Sequence, residues 1–481
     1  MEEEPKWLWE DVDYNKYQRH VAISTTESED VDDTIVYIED LEKRKRVYGI
    51  CGECKEPGTG ERWCQHCNAK RFKDNFKNWT SGNENIDEFI QQSQLDALHC
   101  KQFLEWIPFE KFQNITYIAE GGFGKIHSAK WSEGHIEYWD IKKKKWHRHS
   151  WGEYVLKSLN NSTDICSDFL NEIKPHLQIH LHFVVTCYGI TRDPNTKEYM
   201  MVLEYCNDGN LRNYLNKSKE YMGFGSKIDK LQKIARGLLD IHAAGNVHKD
   251  FHSGNILYYY SIPYISDLGM CQPAKRQGKE GIYGVLPYMA PEVLRGQQYT
   301  KAADIYSFGI IMNEFLSEEI PYYDIPHDEF LAIKICEGLR PKIPKHIPKF
   351  ISDLIIRCWD AEVENRLATK ELYQILSKLG KEIYDKNSEL YYQIKEGDEI
   401  GSKKFKNGKS NDDKSKNIQT HPQAVYTSRL INFKSLPKPV NSSDLSSFQF
   451  NSDTNYTIQS ALTNPSNFRM LGCSIKRIRT K

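Results

Sequence analysis

Five side chains in this sequence have the types that moving a phosphoryl group requires. Lys157 ends a short apolar run, Tyr154-Val155-Leu156-Lys157, and offers a point charge for α- and β-phosphates. Glu172, within Phe169-Leu170-Asn171-Glu172-Ile173, can pair with that cation from a helix. Asp250 and Asn255 lie five positions apart in Val247-His248-Lys249-Asp250-Phe251-His252-Ser253-Gly254-Asn255-Ile256-Leu257. Asp267 precedes a flexible glycine in Ile265-Ser266-Asp267-Leu268-Gly269. The chemistry needs a carboxylate at the acceptor hydroxyl (Asp250) and hard oxygen ligands for Mg²⁺ at the β- and γ-oxygens (Asn255, Asp267). It also needs a cation on the phosphates and a carboxylate to hold that cation. Upstream, Tyr117-Ile118-Ala119-Glu120-Gly121-Gly122-Phe123-Gly124-Lys125-Ile126 reads as strand, Gly-rich hairpin and strand. There Gly121 and Gly124 let backbone N–H groups approach phosphate oxygens with no Cβ in the way. Singly, Lys157 is a solvated strand end, Glu172 a surface charge and Asp250 a turn residue; their joint occurrence in this order carries the reading.

A second constellation is Cys51-x-x-Cys54, nine intervening residues, then Cys64-x-x-Cys67. Each two-residue gap lets both thiolates face one ion, and the loop Glu56-Pro57-Gly58-Thr59-Gly60 folds the pairs together. Four thiolates suit tetrahedral Zn²⁺ in a closed, structural site with no open position for catalysis. The bland alternative is a cluster of free cysteines. A segment this short buries little core, so metal binding would supply much of its folding free energy. Its partner is not written in the sequence. The basic residues that follow (Lys70, Arg71, Lys73, Lys77), among Phe72, Phe76 and Trp79, permit RNA contact, but such a helix face is ordinarily just solvated.

These groups need a scaffold, and the 481 residues hold ample chain for one. The 65 Lys+Arg and 66 Asp+Glu nearly cancel, which gives no support to binding nucleic acid through overall charge. No run approaches the length of a membrane span. The opening Met1-Glu2-Glu3-Glu4 lacks the regions of a signal peptide, so a cytoplasmic protein is expected, with a nuclear location also compatible. Residues 1–45 are acidic with little apolar periodicity and are expected to be loosely ordered; 46–72 form the Cys module. Residues 73–111 read as a helical linker, because Ile86, Phe89, Ile90, Leu95, Leu98, Phe103 and Leu104 recur at helical spacing. Residues 112–384 alternate strand-like and helix-like runs, and 385–481, rich in Lys, Ser, Asn and Asp, read as a disordered polar tail. An insertion, Trp139-Asp140-Ile141-Lys142-Lys143-Lys144-Lys145-Trp146-His147-Arg148, extends a hairpin as a basic lobe; a solvated loop is the plainer expectation.

With Met289-Ala290-Pro291-Glu292 and Asp304-Ile305-Tyr306-Ser307-Phe308-Gly309 in place, residues 112–384 resemble the protein kinase family. The tail of that region, Cys358-Trp359-Asp360 with Asn365-Arg366, is similar to the tyrosine-kinase-like group. Phe251-His252-Ser253-Gly254-Asn255 and the N-terminal cysteine pairs are similar to the kinases of that group greatly expanded in symbiotic soil fungi. The resemblance implies an α+β, two-lobed kinase fold, with a β-rich N-lobe and a helical C-lobe, preceded by the zinc module. It implies ATP in the cleft, with adenine bound by backbone groups of Glu204 and Cys206 behind Leu203. Ile118, Ile126, Val155 and Leu257 would sandwich the ring, and Arg366 would pair with Glu292. The expected partner is a protein substrate, with Ser/Thr acceptors ahead of Tyr.

Several positions depart from the family pattern: Ala119 for the first glycine, Val155 for alanine, Lys249 for arginine, Leu268 for phenylalanine, and His252 where Ser/Thr kinases carry lysine. Lys249 keeps the charge but loses a planar fork for phosphate. No Ser or Thr lies between Asp267 and Glu292, so a regulatory phosphate there would need Tyr283 or Tyr288, of which Tyr288 is expected to be packed. Two rival functions remain: a pseudokinase scaffold, which the departures at Ala119, Lys249 and His252 allow, and a zinc-dependent adaptor in which the kinase domain is secondary.

Overall fold

The run 199–203 shows no polar alternation because both faces of its strand are covered. The computed structural model describes residues 8–13, 16–22, 35–121, 124–150, 152–158, 167–179, 183–218, 220–273, 282–409, 420–433 and 435–441. Three helices come first: α1 (Leu41–Tyr48), α2 (Gln65–Asn75) and α3 (Glu84–Asp96). The N-lobe follows with β1 (Glu105–Trp106), β2 (Phe112–Gly121), β3 (Gly124–Trp131), the hairpin β4 (His135–Asp140) and β5 (Lys145–His149), β6 (Glu153–Ser158), helix α4 (Ser167–Gln178), β7 (Cys187–Arg192) and β8 (Tyr199–Glu204). Six of these strands form one sheet in the order β1-β7-β8-β6-β3-β2, antiparallel except for β1 against β7. Along β8, Tyr199, Met201 and Leu203 face α3 and α4, packing with Ile86, Ile90, Phe169 and Ile173. Met200 and Val202 face the other way, into Phe112, Trp131 and Leu156. Side chains alternate along a strand, so a strand buried on both sides must be apolar throughout.

The C-lobe begins with β9 (Gly209–Asn210), α5 (Leu211–Lys217) and α6 (Phe224–Ala243), then β10 (Asn246–Val247), β11 (Ile256–Tyr259), β12 (Ile262–Ile265), β13 (Gln272–Pro273) and β14 (Ile282–Gly284). Helices α7 (Pro291–Leu294), α8 (Lys301–Ser317), α9 (Glu329–Cys336), α10 (Lys349–Cys358) and α11 (Thr369–Glu382) complete its core. Every residue of α8 from Ala303 to Ser317 is buried, its apolar side chains in the C-lobe core and its Asp304 and Glu314 bonded to partners. Arg366 meets Glu292 in a bidentate pair of 2.7 and 2.8 Å, as the sequence led one to expect. This α+β architecture, with a sheet lobe and a helical lobe, is the expected one.

Three expectations need correction. The N-terminal region expected to be loosely ordered contributes Val12, Val21 and Val36 to a small core with Val47 and Tyr48. Arg44 ties that core to the cysteine loop through the carbonyls of Ile38, Pro57 and Gly58 at 2.7–3.0 Å. These valines are too far apart in sequence to show a period, because each packs on α1 from a separate extended segment.

The insertion is not a solvated loop. Trp146 stacks on Phe72 at 5.0 Å and on Trp63 at 6.0 Å, while Arg71 lies over Trp139 at 4.3 Å. The hairpin therefore fastens the Cys module to the N-lobe, and Phe72 and Arg71 are occupied there rather than presented to RNA.

The tail expected to be disordered holds helix α12 (Glu389–Lys409) and strand β15 (Arg429–Ile431). Leu390 and Ile394 enter the C-lobe core, and Asp398 accepts from the N–H of Phe224 at 2.8 Å. Composition averaged over 97 residues concealed the few apolar side chains that dock. Residues 410–419, 434 and 442–481 of that tail lie outside the described residues.

Candidate active site

Strand register explains how the upper half of the site assembles. Lys157 pairs across the sheet with Ile126 and Met201, and Val155 with Ser128 and Leu203. Cross-strand partners share a face, so Ile126, Val155, Lys157, Met201 and Leu203 all point to the side where α4 lies. Lys157 Nζ there donates to Glu172 Oε1 at 2.9 Å and to Asp267 Oδ1 at 2.8 Å. Burial opposes the charge on Lys157, but Asp267 and Glu172 outweigh it and raise its pKa, so the ammonium stays charged. Burial likewise works against ionised Asp267, and Lys157 reverses that effect, leaving its carboxyl below the ordinary range.

The lower half hangs from Asp304 on α8. Its carboxylate accepts from the backbone N–H groups of His248 at 2.8 Å and Lys249 at 3.1 Å, and contacts His242 Nε2 at 2.8 Å. Lys249 sits at φ +68°, a left-handed conformation that L residues adopt at a cost, and these bonds hold it there. The sequence marked Asp304 as part of a motif without assigning it this anchoring role; His242 carried no signal of its own.

Asp250 is buried at the end of that turn. Asn255 Nδ2 donates to its carbonyl at 2.9 Å and reaches Oδ2 at 3.4 Å, which leaves Asn255 Oδ1 as the atom able to take a cation. His252 Nδ1 accepts from the N–H of Gly254 at 3.1 Å, so the ring proton sits on Nε2, 3.6 Å from Asp250 Oδ2. A Cβ at position 254 would lie 2.6 Å from His252 Cε1, so glycine there is what admits the ring. Ser428, from the C-terminal segment, also donates to Asp250 Oδ2. Burial pushes the Asp250 pKa up, but His252, Ser428 and His248 together bring it below the usual carboxylate value. Asp250 Oδ1 has no partner among the described residues.

Asn255 Oδ1 and the second oxygen of Asp267 are hard oxygens of the type that suits Mg²⁺. Glu204 and Cys206 flank the end of β8, where the Glu204 N–H is already bonded to Thr186 O at 3.0 Å. Leu257 on β11 is half-buried opposite Asn210, and Ile118 is 46% exposed on β2. Gly121 ends β2 and Gly124 begins β3; residues 122 and 123 between them lie outside the described residues. Tyr288 is buried in a network with Arg212, Ser253 and Glu314, and Tyr283 is 37% exposed.

The four cysteine sulfurs lie within 4.8 Å of one another, with Cys51–Cys67 at 3.9 Å and Cys54–Cys64 at 3.6 Å. An ion about 2.3 Å from each sulfur of a tetrahedron separates the sulfurs by about 3.8 Å, so the quartet fits zinc.

Residues 112–376 match the family model described as protein tyrosine and serine/threonine kinase. Serine/threonine-protein kinase VIK of Arabidopsis thaliana is 28% identical over 281 residues, covering 56% of this chain and 60% of its own length. The RGS domain-containing serine/threonine-protein kinase A of Dictyostelium discoideum is 29% identical over 267 residues, covering 53% of this chain and 22% of its own. The chain thus spans between about a fifth and three fifths of the length of these two relatives. Among the described residues, no helix is long and apolar enough to cross a membrane.

Proposed function

Because the chain belongs to the protein tyrosine and serine/threonine kinase family, we propose that it transfers the γ-phosphate of ATP to protein hydroxyl groups, serine or threonine ahead of tyrosine. The observation that carries this reading is Lys157 held between Glu172 and Asp267, with Asp250 and Asn255 bonded to each other. In this reading Lys157 grips the α- and β-phosphates and Glu172 fixes the lysine in place. Asp250 orients the acceptor hydroxyl and takes its proton, and Asn255 and Asp267 hold Mg²⁺. The metal supplies positive charge for the β- and γ-oxygens. The backbone of Glu204 and Cys206 reads adenine, between Ile118, Ile126, Val155 and Leu257, and the N–H groups near Gly121 and Gly124 cover the phosphates.

Cys51, Cys54, Cys64 and Cys67 are read as ligands of a structural zinc ion. The metal-ligand spacing of these cysteines supports a reducing compartment, the cytoplasm first, with a nuclear location also compatible. The test is transfer from γ-labelled ATP with Mg²⁺ to dephosphorylated casein, wild type against Asp250→Asn. We expect the variant to lose about 10²-fold or more, and the labelled product to carry phosphoserine or phosphothreonine. Equal rates would remove Asp250 from the chemistry; phosphotyrosine alone would reverse the acceptor preference.

A further inference from the structure

The C-terminal segment enters the site by its side chain. Ser428 Oγ donates its proton to Asp250 Oδ2, which is where the hydroxyl of any acceptor must lie for that carboxylate to act on it. The chain running on from Ser428 is bonded in place. Arg429, Leu430 and Ile431 pair antiparallel with Gly284, Tyr283 and Ile282 of β14, the strand just ahead of Met289-Ala290-Pro291-Glu292.

The side chains around it are equally committed. Tyr426 lies 4.0 Å under the Arg212 guanidinium and donates to Pro321 O at 2.8 Å. His327 Nδ1 meets Val425 O at 2.8 Å, and the His327 N–H donates to Gln423 O at 3.0 Å. Ile431 is 3% exposed, and Phe433 and Leu436 pack on the same apolar core. At the far end Asn441 bridges Ala361 N–H at 2.8 Å and Asp360 at 2.9 Å. A segment anchored at both ends, with Ile431 and Leu436 buried between them, is a seated occupant of the acceptor site.

We propose that Ser428 is an acceptor supplied by the chain itself, phosphorylated within one molecule when Mg²⁺ and ATP are bound. This rests on the phosphoryl-transfer reading above. Ser428 Oγ forms a bond to the γ-phosphorus as the bond from that phosphorus to the β,γ-bridging oxygen breaks. The bonding electrons leave with ADP, and the hydroxyl proton passes to the Asp250 carboxylate. No further reactant is required. The seryl hydroxyl agrees with the Ser/Thr acceptor preference.

The experiment uses the full chain, γ-labelled ATP and Mg²⁺, with phosphosite mapping and dephosphorylated casein as a separate acceptor. Wild type should label Ser428 toward one phosphate per chain, at a first-order rate unchanged over about a hundredfold dilution, because a tethered acceptor has a fixed effective concentration. Ser428→Ala should lose that label. Ile431→Asp, which unseats the strand, should slow Ser428 labelling at least about tenfold while casein labelling is kept or rises. Casein labelled with Ser428 untouched would overturn the inference and leave the kinase reading standing. So would a Ser428 rate rising in proportion to protein concentration, which marks transfer between molecules. Neither acceptor labelled, by wild type or by Ile431→Asp, would overturn the inference together with the phosphoryl-transfer reading.

Discussion

The regions before residue 112 and after residue 376 both grip the kinase domain, but they grip opposite lobes by different means. The N-terminal region packs α3 against α4 through Ile86 and Ile90, and clamps the β4–β5 hairpin through Trp63, Phe72 and Trp146. It touches the lobe that carries Lys157 and Glu172, and it holds the four clustered cysteines. The C-terminal region lies along the C-lobe as an extended strap and reaches the acceptor side of the site through Ser428. On the proposals above, the N-terminal brace would set the geometry of Lys157 and Glu172, and the C-terminal one which hydroxyl Asp250 meets.

The largest expected effect separates them. Cys64→Ser, or chelation at neutral pH, should unfold the Cys module, since structural zinc sites supply on the order of 10 kcal/mol to such short segments. Tryptophan emission should shift as Trp63 and Trp146 come apart. Hydrogen exchange across 425–436 should stay as slow as in wild type; faster exchange there would merge the two braces into one unit.

A smaller effect concerns the seat of α4. Burial pushes the His176 pKa down to about 4, against the help of its bond to Val185 O, with Lys157 and Asp267 the charged groups nearby. The folded state therefore binds fewer protons than the unfolded one between about 6.5 and 4. Stability is full above the upper value and falls as the pH drops, by roughly 3 kcal/mol in all. Denaturation midpoints measured across that range, with His176→Gln showing a flatter profile, check it; identical profiles would exclude His176 as the source.

The smallest effect belongs to the strap. Asn441→Ala removes two hydrogen bonds at its far end, at a cost of about 1 kcal/mol to docking. Exchange at 429–436 should quicken severalfold with no change in the global melting temperature. A drop of several degrees would mean that the strap is part of the C-lobe's cooperative core.

The residues proposed to handle phosphate were legible in the sequence because that chemistry dictates residue type and order: a lysine, three carboxylates and an asparagine in fixed succession. Lys157, Glu172, Asp250, Asn255 and Asp267 come together in space as that order implies. The two braces were not legible, for physical reasons. Tyr426, Ile431, Phe433 and Leu436 pack on a surface already built by other elements, so they need no helix or strand period of their own. Val12, Val21 and Val36 are equally aperiodic. Four successive lysines in the insertion outweighed two tryptophans, although the lysines sit at the hairpin tip and the tryptophans do the packing. Nothing distinguishes Ser428 from the other serines of the tail except its distance from Asp250.

The contact of Gly254 with His252 constrains how this site can change over generations. With 2.6 Å between a Cβ at 254 and the imidazole carbon, alanine cannot appear at 254 while the ring keeps its place. A descendant with any side chain at 254 is therefore expected to hold the ring of residue 252 in another position or to have lost the histidine beside the acceptor carboxylate.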